Sequence, residues 1–270
     1  VYYNVDALHE AMNRNRQIRF RYGEWSTGKQ LVMKKGGREY FVSPWALTWD
    51  DENYYLIAFD EEAGIIKHYR VDKMLKIGLT DEERVGRDSF EDFDLKYYQN
   101  VEAEGGNPKK RMTGIFKLCK EYTIGFDPQK SESLLFMGNT GIGKTHLSLA
   151  IVKSLLAQGF NVIYGSAYNL FSEMESEHFG EHTNKRYEQA ISCDLLVIDD
   201  LGSEFVSPFI QTLLYNIVNT RLLAHKPTIV NTNLTVAQIG ERYSPRVASR
   251  FIGEYNMKLF LGNDIRQIKA

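Results

Sequence analysis

Short runs rich in apolar residues alternate with longer stretches of helical periodicity in the second half of the chain. The runs lie at residues 134–137, 161–164, 195–198 and 228–230, and a helical pattern at about 144–158 follows the first of them. Apolar strands with helices between them are typical of a parallel sheet covered on both faces. We therefore predict an α/β fold for this half.

The first hundred residues have a different pattern, in which aromatic and β-branched residues alternate with polar ones. Such stretches lie at residues 18–22, 39–43, 53–59 and 65–71, with Gly-Gly or acidic turns at 36–37 and 50–52. Before them, Val5, Leu8 and Met12 share one face of a short predicted helix. Asn4 or Asp6 is its predicted N-cap. Short strands separated by turns predict a small, mainly-β domain folded as a barrel or curled sheet.

The net charge of −2 hides a division of the chain into three parts. Residues 1–40 hold eight Lys/Arg against four Asp/Glu, residues 41–107 hold seven against sixteen, and residues 108–270 hold eighteen against fifteen. The last change coincides with a Gly-Gly pair and a proline, which are typical of a linker. We therefore predict a small β domain at 1–100, a linker at 101–108 and an α/β domain at 109–270.

Composition excludes several classes of protein. The 270 residues are 43% hydrophobic and 25% charged, which excludes a wholly disordered chain. Cys119 and Cys193 form no CxxC pair, so we expect neither a disulfide framework nor a cysteine zinc site. No apolar run approaches the about 18–20 residues that span a bilayer, and the start does not resemble a secretion signal. We expect a cytoplasmic protein without a membrane partner, and the initial Val1 suggests a piece of a longer chain.

A glycine-rich turn between the first apolar run and the helical pattern has the spacing of a phosphate-binding loop. Residues 138–145 match G-x-x-x-x-G-K-[ST] at every required position. The glycines let backbone N–H groups approach phosphate oxygens at a helix N-terminus. We expect Lys144 to neutralise the β- and γ-phosphates of ATP and the Thr145 hydroxyl to bind Mg²⁺. The predicted nucleotide-binding residues are Gly138, Asn139, Thr140, Gly141, Ile142, Gly143, Lys144, Thr145 and His146.

Two carboxylates follow another apolar run, where open α/β sheets place ligands. Asp199 and Asp200 come directly after residues 195–198. We expect Asp199 to contribute to the Mg²⁺ shell, and Asp200 to orient or deprotonate the attacking water.

Amides and arginines further along the chain complete the candidate site. Asn233 is the first candidate to hydrogen-bond the γ-phosphate or the water, and Asn231 is the second, since sequence alone leaves the strand end open by a residue or two. Arg246 and Arg250 are four residues apart on one helical face. One of them could act as an arginine finger on a nucleotide held by a neighbouring subunit. Arg266 is a further candidate for nucleotide sensing.

The second half resembles the DnaC/DnaI family of AAA+ replicative helicase loaders, which is close to the IstB-type transposition ATPases. The matching stretches are residues 134–146, 194–204, 232–234 and 249–251. The resemblance implies a RecA-like sheet, ATP and Mg²⁺ binding, oligomer-dependent hydrolysis and contact with single-stranded DNA. A replicative helicase is a candidate partner, although the small β domain takes the place where loaders carry their helicase-binding segment.

The resemblance also implies roles for individual residues. Lys144 and Thr145 correspond to Walker A, Asp199 and Asp200 to Walker B, Asn233 to sensor 1, Arg250 to the arginine finger and Arg266 to sensor 2.

The first part resembles the WYL domain, a module similar to Sm and SH3-like small barrels. The resemblance covers about residues 5–80, and Asn53-Tyr-Tyr-Leu56 stands where that family has its Trp-Tyr-Leu signature. It implies ligand or nucleic-acid sensing rather than catalysis. A basic patch with aromatic faces could serve that purpose. Its candidate members are Arg19, Arg21, His68, Arg70 and Lys73, beside Tyr22, Tyr54 and Tyr55. The alternative is that alternating Tyr and Arg mark only a core face and a wet face.

Three other interpretations remain open at the level of sequence. The protein could be a switch that binds ATP without hydrolysing it, or a transcription regulator whose β domain binds a ligand. The two parts could also be unrelated pieces joined artificially.

Overall fold

The computed structural model describes residues 2–25, 31–50, 53–63, 65–84, 89–102, 106–181 and 184–269. The chain forms two compact units, Val1–Arg87 and Asp88–Ala270. Each unit has a sheet and a hydrophobic core of its own.

In its described residues, the first unit has an antiparallel sheet, one α-helix and short 3-10 turns. Its elements are α1 (Tyr2–Asn13), β1 (Arg16–Trp25), β2 (Leu31–Met33), β3 (Tyr40–Asp50), β4 (Asn53–Asp60), β5 (Ile65–Arg70) and β6 (Met74–Glu83). The strands pair in the order β5-β4-β3-β1-β6, and β2 pairs with the far end of β1. The predicted mainly-β class is confirmed, β2 and β6 were not predicted, and closure into a barrel stays a prediction.

Side-chain alternation along β1 builds the core of the first unit. Ile18 and Phe20 are fully buried. The rings of Phe20, Tyr22, Tyr40 and Tyr69 pack together with centroids 5.1–6.2 Å apart. Alternation therefore sends Phe20 and Tyr22 inward, as expected for a sheet with one buried face.

Helix α1 packs Leu8 onto this core, as its periodicity predicts. Its predicted N-cap is wrong, because the helix already begins at Tyr2. Asn4 instead donates hydrogen bonds from Nδ2 to the carbonyl oxygens of Val71 and Met74, both at 2.9 Å. This amide ties the helix to the start of β6.

The second unit contains a five-stranded parallel sheet with helices between its strands. Its elements are α2 (Pro108–Ile124), β7 (Ser133–Met137), α3 (Lys144–Ala157), β8 (Val162–Ser166), α4 (Ala167–Ser176), α5 (Lys185–Ser192), β9 (Leu195–Leu201), α6 (Pro208–Leu223), β10 (Thr228–Thr232), α7 (Val236–Arg242), α8 (Pro245–Glu254), β11 (Tyr255–Leu259) and α9 (Ile265–Lys269). The strand order is β11-β7-β10-β9-β8. The predicted α/β class is confirmed, and the carboxyl ends of all five strands meet at one edge.

A fully buried arginine joins helix α6 to the sheet. Arg221 donates from Nε to Thr228 Oγ1 at 2.9 Å, and from Nη2 to the Pro227 carbonyl at 2.6 Å. Its Nη1 donates to the carbonyls of Ala190 and Cys193, at 2.7 and 3.0 Å. Backbone carbonyls therefore take the place of a carboxylate partner for this cation.

The stretch before α2 packs on the second unit, although charge composition places residues 88–100 with the first. His146 Nε2 on α3 is hydrogen-bonded to the Ser89 carbonyl at 2.8 Å, and the Phe93 ring lies 5.1 Å from the His146 ring. The Tyr98 hydroxyl donates to the Ile142 carbonyl at 3.0 Å. Aromatic packing, rather than net charge, decides where this segment belongs.

Where the structure describes the chain, no helix combines the length and the apolar content that a bilayer crossing requires.

Candidate functional site

The predicted phosphate-binding loop connects β7 to α3 at the carboxyl edge of the parallel sheet. Gly138, Gly141 and Gly143 have φ values of +134°, +74° and +92°, a region that side chains rarely adopt. A Cβ atom on Gly141 would collide with the Asp264 carboxylate. The loop can take this shape because these three positions are glycines, and that shape bends the backbone around the N-terminus of α3.

Lys144, the first residue of α3, places its ammonium group within the curve of the loop. Its Nζ donates to the carbonyls of Gly138 and Asn139 at 2.6 and 2.7 Å. Burial lowers the pKa of this ammonium, and the charges of Asp200 and Asp199 act in the opposite direction. A buried cation is therefore held where the motif predicts phosphate oxygens.

The two predicted metal ligands lie together. The Thr145 hydroxyl donates to Asp199 Oδ1 at 3.1 Å. The same oxygen accepts from Asn231 Nδ2 at 2.7 Å and from the backbone N–H of Asp200 at 3.0 Å. A hydroxyl and a carboxylate are the hard oxygen ligands that Mg²⁺ prefers, so these residues suit the predicted metal.

The other oxygen of Asp199 has a partner that the sequence did not reveal. The Tyr164 hydroxyl, on β8, donates to Asp199 Oδ2 at 2.5 Å. Ser148 on α3 completes the group by donating to Asn231 Oδ1 at 2.9 Å. A tyrosine at the end of an otherwise apolar run was the only sequence signal for this contact.

Asp200 is exposed at the end of β9, and its φ of +54° is in the left-handed region. Aspartate tolerates this conformation better than most residues, but the backbone there is strained all the same. The unusual backbone turns the chain so that Asp199 is buried while its neighbour remains accessible to solvent.

Of the two candidate amides, the structure brings Asn231 to Asp199. Asn231 lies within β10 and is fully buried. Asn233 follows the end of that strand and is exposed. The geometry therefore favours the second candidate over the first.

The candidate finger arginines lie on α8. Arg250 is half-buried, and its Nε and Nη2 donate to Asn219 Oδ1 on α6 at 3.2 and 3.1 Å. Arg246 is exposed on the same helix. The backbone of Arg266 lies in α9, and its side chain falls outside the described residues.

Two rings from the segment before α2 cover the back of the phosphate-binding loop. A Cβ on Gly143 would come within 2.8 Å of both the Phe93 ring and the Tyr98 hydroxyl. The same segment holds His146, one of the predicted nucleotide-binding residues. Sequence reasoning missed this contribution, because these rings lie about forty residues before the motif.

A cluster of aromatic rings includes two residues of the short π-helix at 177–181. The rings of His178, Phe179 and Phe209 have centroids 4.9–5.2 Å apart, and Phe179 is 65% exposed. Base stacking on such rings is a common mode of single-strand binding.

In the first unit, Arg19 and Arg70 of the predicted basic patch are paired with carboxylates of the same unit. Arg70 pairs with Asp72 at 2.8 Å, and Arg19 lies 3.7 Å from Glu39. Tyr22 belongs to the aromatic core. These contacts favour the alternative of one core face and one wet face.

Two family profiles match the chain. Residues 121–248 match the family described as IstB-like ATP binding protein, and residues 3–79 match the WYL domain. Both resemblances noted in the sequence are confirmed.

Similar proteins agree with the first of these matches. The replicative helicase loader DnaC of Escherichia coli strain K12 is 27% identical over 200 residues, which cover 72% of this chain and 78% of the loader. A crystal structure of the DnaC helicase loader has a TM-score of 0.53 and 21% identity, and covers 64% of this chain and 98% of the loader chain. The replication initiator DnaA, bound to AMPPCP and single-stranded DNA, has a TM-score of 0.55 and 22% identity, and covers 68% of this chain and 54% of that one. The RecA-like fold of the second unit is thus shared with DnaC and DnaA.

Proposed function

We propose that the second unit is a Mg²⁺-dependent ATPase of the helicase-loader type that acts on single-stranded DNA, and that the first unit senses a ligand or nucleic acid. The observation that carries the ATPase proposal is that Lys144, Thr145 and Asp199 lie beside the glycine-rich loop at the carboxyl edge of the parallel sheet. The IstB-like and DnaC relationships support an ATP-binding role for this edge.

The residues of the site would divide the work of ATP hydrolysis. The loop N–H groups and Lys144 bind the β- and γ-phosphates, and Thr145 with Asp199 would hold Mg²⁺, which neutralises phosphate charge. Asp200 orients a water molecule and accepts its proton as the water oxygen bonds to the γ-phosphorus. The bond between that phosphorus and the β–γ bridging oxygen breaks, and ADP and phosphate leave. Phosphoryl transfer needs mainly positioning and electrostatic stabilisation, which these residues can supply.

Lys144 must change partners when the nucleotide binds. Its ammonium donates to the carbonyls of Gly138 and Asn139, and phosphate oxygens would replace them as charged acceptors. Both sets of hydrogen bonds involve the charged ammonium, and the phosphates add the attraction between opposite charges, so the exchange favours the bound state.

Hydrolysis would depend on self-association. Arg250 is directed towards Asn219 of its own subunit rather than towards the loop, as its hydrogen bonds indicate. A finger supplied in trans is consistent with this, since a neighbouring subunit would present the arginine to the γ-phosphate. A monomer should then hydrolyse ATP slowly.

Single-stranded DNA is the proposed nucleic-acid partner. The exposed ring of Phe179, packed against the half-buried ring of Phe209, offers a surface on which bases can stack. The structural relationship with a DnaA bound to single-stranded DNA supports the same class of ligand. A replicative helicase is the proposed protein partner, on the basis of the DnaC relationship.

An open cavity of about 630 Å³ in the first unit is the proposed place for a small ligand. It is lined by Gln17, Arg38, Glu39, Phe41, Glu61 and Glu62. Gln17 Nε2 and Ser43 Oγ both donate to Glu61 Oε1 at 2.9 Å, which orients that carboxylate at the rim. Ligand sensing agrees with the WYL match of this unit.

Nucleotide binding by the full chain, with and without Mg²⁺, tests the proposal. Lys144→Ala should abolish binding of ATP while leaving the thermal midpoint nearly unchanged. Lys110→Ala, which removes an exposed lysine of α2, is the matched control and should bind ATP normally. Tight ATP binding by the Lys144 variant would refute the assignment of the loop.

Steady-state hydrolysis with and without single-stranded DNA separates an ATPase from a non-hydrolysing switch. A hydrolysis rate that changes when single-stranded DNA is added supports the loader-type ATPase. Tight binding without turnover in either condition would favour the switch, and binding of duplex promoter DNA would favour a regulator.

A further inference from the structure

Tyr164 brings a phenol hydroxyl to the carboxylate of Asp199 from the neighbouring strand. Its register partner on β9 is Val197, two residues before Asp199. Because side chains two apart share a face, Tyr164 and Asp199 lie on the same face of the sheet. The ring is only 4% exposed, and its hydroxyl donates to Asp199 Oδ2 at 2.5 Å.

The two oxygens of Asp199 are held by different groups. Oδ1 accepts from Thr145, Asn231 and the backbone of Asp200, whereas Oδ2 accepts from Tyr164. Thr145 is the donor that would turn to the metal. Once it does so, the side chains left to orient the carboxylate are Asn231 on one oxygen and Tyr164 on the other.

We infer that Tyr164 is a positioning residue that fixes the Asp199 carboxylate for Mg²⁺. The inference rests on the proposed function, in which Asp199 serves the metal. Groups that hydrogen-bond to metal ligands orient them, and their loss typically weakens metal binding by about 10- to 100-fold. A hydroxyl aimed at Oδ2 has this effect because it stops the carboxylate from rotating about its Cβ–Cγ bond.

Tyr164→Phe removes the hydroxyl and keeps the ring. The apparent Mg²⁺ affinity of the full chain is measured from nucleotide binding at fixed ATP, and directly with Mn²⁺ as a paramagnetic probe. We expect metal affinity to fall by about tenfold or more, while ATP affinity in EDTA stays near the wild-type value.

Tyr69→Phe is the matched control from the first unit. The Tyr69 hydroxyl also donates to a buried carboxylate, Asp60 Oδ2, at 3.0 Å. Its loss should lower stability and leave the metal affinity unchanged. A purely structural role for Tyr164 would give the same outcome as this control.

A second comparison asks whether Tyr164 acts through Asp199. In an Asp199→Asn background, Tyr164→Phe should cause no further loss of metal affinity. A further loss, or a Tyr164→Phe protein with wild-type or tighter metal binding, would overturn the inference while leaving the ATPase proposal intact. If the ATP affinity of the wild-type protein is the same with and without Mg²⁺, the proposed function and this inference are both contradicted.

Discussion

Asn231 donates a hydrogen bond from Nδ2 to Oδ1 of Asp199 at 2.7 Å, whereas Asn233, two residues later, is exposed beyond the end of β10. We predict that Asn231→Ala slows ATP hydrolysis by about 10- to 100-fold, because a hydrogen bond to a charged group contributes about 1.5–3 kcal/mol. The check is to measure kcat for Asn231→Ala and for Asn233→Ala. Normal turnover in Asn231→Ala with slow turnover in Asn233→Ala would return the role to Asn233.

Arg250→Ala should leave ATP affinity unchanged and lower turnover by about a thousandfold, the usual scale for an arginine finger. The reason is that its guanidinium would act only on the γ-phosphate of a neighbouring subunit. Wild-type turnover per subunit should also rise with protein concentration. Arg246→Ala, on the same helix, is the comparison, and slow turnover there alone would transfer the finger role to Arg246.

Arg221→Met should destabilise the second unit by about 3 kcal/mol or more, measured by urea unfolding at neutral pH. The substitution removes the charged donor from several buried carbonyls, among them those of Ala190 and Pro227, and a hydrogen bond to a charged group contributes about 1.5–3 kcal/mol. Arg246→Met removes an exposed arginine and should change stability by less than about 0.5 kcal/mol. Equal effects of the two substitutions would show that the buried hydrogen bonds of Arg221 contribute little.

Asp60 should make the first unit sensitive to acid. Burial acts to raise the pKa of this carboxyl, but hydrogen bonds from Lys67, Ala63 and Tyr69 outweigh it and hold the pKa below the ordinary 3.8. A carboxyl whose pKa is lowered in the folded state stabilises the fold above pH 3.8, and the contribution is lost as the pH falls through the folded pKa.

Asp60→Asn should therefore cost about 2 kcal/mol of unfolding free energy at pH 7 and progressively less below pH 4. Unfolding of both proteins across this pH range is the measurement. A difference that stays constant down to pH 2 would mean that ionisation of Asp60 does not contribute.

The parts of the site that lie in one local motif could be predicted from the sequence. Lys144 and Thr145 follow from the spacing of the glycines, and Asp199 follows from its place after a buried strand. Tyr164 could not be predicted, because its hydrogen bond crosses from β8 to β9 and depends on strand register. The choice of Asn231 likewise depends on where β10 ends.

The fold class was predictable because the two units have different patterns: apolar runs separated by helical periodicity in the second, and alternation of apolar and polar residues in the first. The start of the second unit could not be predicted from charge. Acidic residues surround Phe93, so its segment has the same negative charge as the preceding part of the chain. In the first unit, alternation predicted the inward face of β1, but the pairing of Arg70 with Asp72 depends on the turn after β5.

The packing of Phe93 and Tyr98 behind Gly143 sets a practical limit on separating the two units. A recombinant ATPase fragment cut at residue 109 would lose both rings and leave the rear of its nucleotide loop open to water. Excision upstream of Ser89 keeps that aromatic backing with the loop it supports, so the useful cleavage point lies about twenty residues before residue 109.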